Sequence, residues 1–195
     1  MHNILKATLL GATMLTGATA ALAQDASLPL AENVMANPEL TTFVAAAQAA
    51  GLADMMLMGD PSYTIFAPSN AAFEALDNGV LDSLLLPENI EALTGLLTGH
   101  IVLGTYTTDD FRSAITAGDS INAADTNMVV DGDAAYVRTL GNTYIFVKDQ
   151  GSNLVVNSEL TEMEVTPEYA NILSGDLASA NGVVHVVDSV LIPTE

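Results

Sequence analysis

The chain has 195 residues, half of them hydrophobic, with a formal net charge of −20 and no cysteine. Such a charge repels nucleic acid and anionic lipid alike. The length suits one domain of ordinary size, and without disulfides the fold must rest on core packing alone.

Residues 1–23 begin with a basic residue, Lys6, continue through a small and apolar stretch from Ala7 to Ala20, and end in Ala21-Leu22-Ala23. That order predicts a secretory signal peptide with an A-x-A cleavage site, followed by a single domain over 24–195. The apolar stretch is shorter than the roughly 20 residues of a spanning helix, and no later segment reaches that length. The reading is therefore of an exported protein, secreted or periplasmic. Lys6 falls in the signal, so the remainder sets three cations, Arg112, Arg138 and Lys148, against 24 acids, a net −21.

Asn37-Pro38-Glu39 predicts a helix start, with a side-chain cap, proline in the first turn and an acid near the positive end of the dipole. Leu40, Phe43, Val44 and Ala47 follow at helical spacing, and Gly51 supplies the stop. A short helix is expected from Ala53 to Met58. Tyr63 to Ala67 reads as a strand ended by Pro68, after which Ser69 or Asn70 caps a helix that turns Phe73 inward. Pro87 opens a longer helix in which Ile90, Leu93 and Leu97 share a face, with His100 continuing that face inward.

Ile101 to Leu103 and Gly104 make a short strand and a turn. Thr107-Thr108-Asp109-Asp110 resembles a capping box for a helix through Ile115. From there the pattern becomes β: runs at 128–130, 135–138, 144–147 and 154–156 alternate with turns at Asp131-Gly132-Asp133, Gly141-Asn142 and 150–153. This predicts an antiparallel meander. Glu159 to Gly175 reads as a long surface loop with one helical turn. Helices early and strands late imply an α+β class, with the strand at 63–67 joining the sheet from far away in sequence.

Signs of catalysis are few. The sequence has neither G-x-S-x-G nor H-E-x-x-H, and Asp131-Gly132-Asp133 lacks the spacing and closing glutamate of an EF-hand. No catalytic residue, metal site or cofactor is assigned. His100 and His185 each lie among apolar residues, where a buried imidazole must satisfy its nitrogens locally. They are expected to be structural members of a polar core with Asn70 and Asp188, and the partners expected for His185 are Asn70, Asp188 or backbone groups.

Two segments stand out: Tyr63-Thr-Ile-Phe-Ala-Pro-Ser-Asn-Ala-Ala-Phe-Glu-Ala-Leu76, and Asn181-Gly-Val-Val-His-Val-Val-Asp-Ser-Val-Leu-Ile-Pro193. With Leu96-Leu-Thr-Gly-His-Ile-Val-Leu-Gly104 between them, the chain resembles the fasciclin-like domain family from about Leu40 to Pro193. The resemblance implies N-terminal helices packed on a β-sheet or wedge with a meander in the C-terminal half. It also implies a non-catalytic module for cell adhesion, or for association with the cell envelope or matrix.

In animal members a tyrosine-histidine pair and an aspartate-isoleucine pair are tied to integrin binding. Here those places hold Gly99-His100 and Asp176-Leu177, which weakens an integrin reading. By resemblance, the partner-binding candidates are Asp176 and Leu177; the surface loop before them adds Tyr169 as a third. The expected partner is a protein or polysaccharide at the cell surface, with self-association as a source of avidity. An alternative implied by exported algal members is a soluble carrier of an apolar ligand such as a carotenoid. Met35, Met55, Met56, Met58, Met128 and Met163 would then line an adaptable groove.

Overall fold

A computed structural model of the chain describes residues 26–54, 61–76, 79–118, 127–158 and 169–192. The signal-peptide expectation, the run Met55 to Met58 and the first part of the expected loop, 159–168, lie outside those residues.

The helical half opens with α1 (Leu30–Ala36), which Asn37 ends. The Asn37 side chain accepts from the Glu39 amide at 3.0 Å, and a 3-10 turn over Pro38–Leu40 leads into α2 (Thr41–Ala49). The signal read from Asn37-Pro38-Glu39 is the one the chain uses. Strand β1 (Tyr63–Pro68) is buried along its whole length. Ser69 then caps α3 (Asn70–Glu74) by accepting from the Ala72 amide. Two short helical elements follow, α4 (Val80–Leu84) and a 3-10 turn at Pro87–Asn89, before α5 (Ile90–Thr98) lays Leu93, Leu96 and Leu97 on the core.

Strand β2 (Ile101–Leu103) leads to α6 (Thr108–Ala117). Its capping box is complete: Thr107 accepts from the Asp110 amide, and the Asp110 carboxylate accepts from the Thr107 amide. The meander is β3 (Met128–Asp131), β4 (Ala134–Arg138), β5 (Tyr144–Asp149) and β6 (Leu154–Asn157), each antiparallel to the next.

The expected loop to Gly175 is corrected by β7 (Ala170–Ser179), which pairs with β6 on one side and with β8 (Gly182–Val187) on the other. The described residues thus form an α+β fold whose eight strands run in the order β2-β1-β8-β7-β6-β5-β4-β3. Because Val102 also bridges to Thr139 beyond β4, the sheet curls back toward itself.

The two segments that stood out in the sequence meet here. β1 and β8 pair in parallel with Phe66 opposite His185, although 119 positions separate them in the chain. All twelve residues of the two strands are buried, which is why both read as continuous apolar runs. The pairing is tight where it begins, since a Cβ at Gly182 would run into the Tyr63 carbonyl and the Leu30 side chain. One apolar cluster fills the space between the helices and the β1/β8 side; a second lies under α6 and the meander, with Phe66, Phe111, Val137 and Val147 at its centre.

Candidate functional site

The candidate residues collect where β7 passes the start of α6. β7 does not pair evenly with β8: its register shifts between Ile172 and Ser174 and again between Ser174 and Leu177. Such bulges bend a strand and re-aim its side chains. Gly175 makes the bend feasible, because a Cβ there would come within 2.8 Å of Thr108 Cγ2 and 3.3 Å of His185 Nδ1. Asp176, next in line, adopts a left-handed backbone with φ 58°.

That conformation turns Asp176 onto the exposed end of α6. One carboxylate oxygen accepts from the Thr108 amide at 2.7 Å and the other from the Thr108 hydroxyl at 2.5 Å. An acid at this position satisfies an orphan helix amide and complements the dipole. The Asp176 amide donates to His185 Nδ1 at 3.3 Å, and His185 Nε2 donates to the Tyr106 carbonyl at 2.9 Å. The Tyr106 amide donates to Thr64 Oγ1, whose hydroxyl donates to the Gly104 carbonyl, both at 2.8 Å. A continuous run of hydrogen bonds therefore ties the β7 bulge to α6, β8 and the β1/β2 pair.

His185 sits 5.3 Å, ring to ring, from Phe66 and 6.2 Å from Phe111. Burial pushes its pKa below the ordinary value, offset in part by the Tyr106 carbonyl and the Asp176 charge. His100 is wholly buried on the other side of β1. Its Nδ1 donates to the Leu96 carbonyl at 2.8 Å and its Nε2 accepts from the Leu191 amide at 2.9 Å. Burial lowers its pKa to about 4, against the opposing pull of the Leu96 carbonyl. Both rings are neutral at pH 7, and all four ring nitrogens are engaged by backbone groups.

The partner set expected for His185 thus resolves to backbone. Asn70 and Asp188 lie half-buried at the margin of the core and serve other joints. Asn70 accepts from the Thr42 amide and the Thr41 hydroxyl and donates to the Pro38 carbonyl, tying α3 to the start of α2. Asp188 accepts from the Asn171 amide and side chain, both at 2.7 Å, pinning the start of β7. Leu177 packs partly buried against the first apolar cluster, while Tyr169 stands 36% exposed just before β7.

The Asp131-Gly132-Asp133 turn is an ion-pair site. Asp133 meets Lys148 at 2.7 Å, and that hydrogen bond holds its carboxyl below the usual range. Among the described residues no group of three or more His, Asp or Glu side chains is placed to hold a metal. An open apolar groove with about 250 Å³ of empty space runs between α1 and α2, lined by Val34, Met35, Phe43, Val44 and Ala47 among others. Met128 is buried in the second cluster, away from that groove.

Sequence reasoning missed Thr108 as the receiver of Asp176 and the exposed Leu85 and Leu86 after α4. The second had a signal in plain view, since three successive leucines at 84–86 cannot all face one core.

Comparison with known proteins agrees with this fold. The chain is 32% identical over 171 residues to protein sll1483 of Synechocystis sp., covering 88% of this chain and 77% of that one. It is 30% identical over 170 residues to the immunogenic protein MPB70 of Mycobacterium bovis, covering 85% and 69%. Among solved structures, a FAS1 domain pair from the insect cell adhesion molecule Fasciclin I superposes with a TM-score of 0.64 at 14% identity. That match covers 85% of this chain and about half, 51%, of the insect one. Since the Fasciclin domain model matches residues 38–193, the chain belongs to the fasciclin domain family.

Proposed function

We propose that this protein is an exported, non-catalytic binding module that works by surface contact, in adhesion or in association with the cell envelope or matrix. The observation that carries the reading is the commitment of both buried histidines and of Asp176 to the fold. Every ring nitrogen and both carboxylate oxygens already hold hydrogen bonds, so none is poised as a free base or nucleophile. What the molecule offers outward is side chains on loops and strand edges. The insect neighbour's role as a cell adhesion molecule points the same way.

Of the candidate contact residues, Tyr169, which stands exposed just before β7, is the one proposed to touch a partner. Asp176 and Leu177 hold the bulge that shapes the surface beside it. The proposed partner is a protein or polysaccharide at the cell surface. A carrier of an apolar ligand would use the groove between α1 and α2, but that groove encloses only about 10 Å³, far below the roughly 300–1,000 Å³ of ligand pockets.

Sedimentation with washed envelopes of the source organism tests the reading. Saturable depletion of colourless protein from the supernatant is expected. No depletion, with a visible absorbance band travelling with the protein from its native source, would favour the carrier.

A further inference from the structure

The segment from Gly79 to Ala92 departs from the rest of the molecule: none of its residues is buried. α1, α2, α3, α5 and α6 each bury at least two residues, whereas α4 and the 3-10 turn after it bury none. Yet this stretch is rich in aliphatic residues. Leu81 and Leu84 lean against the first apolar cluster, and Val80, Leu85 and Leu86 are left 37%, 38% and 44% exposed.

It is also built rather than loose. Gly79 starts α4 from a left-handed conformation with φ 88°, the Ser83 amide donates to the Gly79 carbonyl at 2.9 Å, and the Leu85 amide donates to the Leu81 carbonyl at 3.0 Å. The Asn89 side chain then donates to the Ser83 carbonyl at 2.7 Å, and its amide donates to the Leu86 carbonyl at 2.9 Å. These bonds hold Leu85 and Leu86 outward in a fixed turn, so a partner meets them without paying to order them.

Charge selects the partner. Asp82, Glu88 and Glu91 border the leucines, and no lysine or arginine occurs anywhere from Ala7 to Phe111. An anionic bilayer, a nucleic acid or the same face of a second copy would each set like charge against this border. We propose that the segment from Val80 to Glu88 is a docking surface for a basic protein segment that itself carries aliphatic side chains. Leu85 and Leu86 supply apolar contact while the acids steer and orient the approach. This inference rests on the surface-contact reading above and names one surface and one partner chemistry for it.

The test uses the full chain and two labelled peptides of equal length and charge, one an amphipathic mixture of Leu and Lys, the other of Ser and Lys. Binding is followed by fluorescence anisotropy at about 0.15 M salt, where the Debye length is about 8 Å. The native protein is expected to bind the Leu-Lys peptide at least roughly tenfold more tightly than the Ser-Lys peptide, about 1.4 kcal/mol. Leu85→Ser with Leu86→Ser removes that preference, and Leu173→Ser, at a leucine 59% exposed on β7, leaves it intact. Asp82→Asn with Glu88→Gln weakens both peptides while keeping the preference.

Equal binding of the two peptides by the native chain would overturn the proposal, as would a preference that survives Leu85→Ser with Leu86→Ser. Adsorption to zwitterionic vesicles through the same leucines would overturn it in favour of a lipid surface. Envelope binding unaffected by the leucine variant would sink this inference and leave the broader reading standing; absent envelope binding by the native chain would remove both.

Discussion

His100 and His185 solve the same problem with opposite tautomers. His100 carries its proton on Nδ1 to reach the Leu96 carbonyl, and His185 carries it on Nε2 to reach the Tyr106 carbonyl. In each ring the other nitrogen accepts from an amide, so a second proton would set donor against donor. Because the folded pKa of His100, about 4, lies below the ordinary 6.5, its contribution is complete above pH 6.5 and is lost as pH falls toward 4. The loss is of order 3 kcal/mol by linkage.

Protonation of the carboxylates acts the other way by relieving self-repulsion, so the comparison must be between variants. Urea unfolding at several pH values should show a steeper acid loss in the native protein than in His100→Gln. Equal slopes would contradict the assignment. Asp176→Ala should cost about 2 kcal/mol, since it leaves the Thr108 amide and hydroxyl in the first turn of α6 without their carboxylate partner and puts alanine in a left-handed backbone. Envelope binding should be unchanged in that variant; full stability with binding lost would make Asp176 a contact residue instead.

At the scale of elements, legibility followed local chemistry. Asn37, Ser69, Thr107 and Asp110 were readable because a cap is satisfied within three residues. The meander was readable because turn residues separate short β-rich runs. β7 was not: Ala170-Asn171-Ile172-Leu173-Ser174-Gly175-Asp176-Leu177-Ala178-Ser179 contains one β-branched residue, and its two register shifts break alternation. α1 is seven residues long with no side-chain cap, and α4 buries nothing, so neither leaves a clear periodic trace.

Of the candidate site, the burial of the histidines was legible, and backbone groups stood among the partners expected for His185, but which groups the two rings take was not. Those partners are backbone groups set by the β7 bulge and the C-terminal segment, neither of which the sequence pattern announces. The join of β1 and β8 makes a prediction of its own. Gly182→Ala places a Cβ against the Tyr63 carbonyl, and overpacking of this kind costs about 1–3 kcal/mol or more. A thermal unfolding midpoint within a degree of native would show that the strands separate freely there.

For the molecule as a whole, packing and charge divide the work. Two apolar clusters and a curled sheet give a scaffold that holds without a disulfide, while a net charge of −20 sets a field that repels nucleic acid and anionic lipid. One modest interface yields modest affinity, so adhesion by such a scaffold depends on repeated contacts along a multivalent surface.

The most direct measurement is a binding isotherm of the purified protein on washed native envelopes, taken beside His185→Gln and His100→Gln at a temperature where all three remain folded. Saturable binding with equal affinity for the three is the expected result. Binding abolished by either histidine variant, or no binding by the native protein, would contradict it.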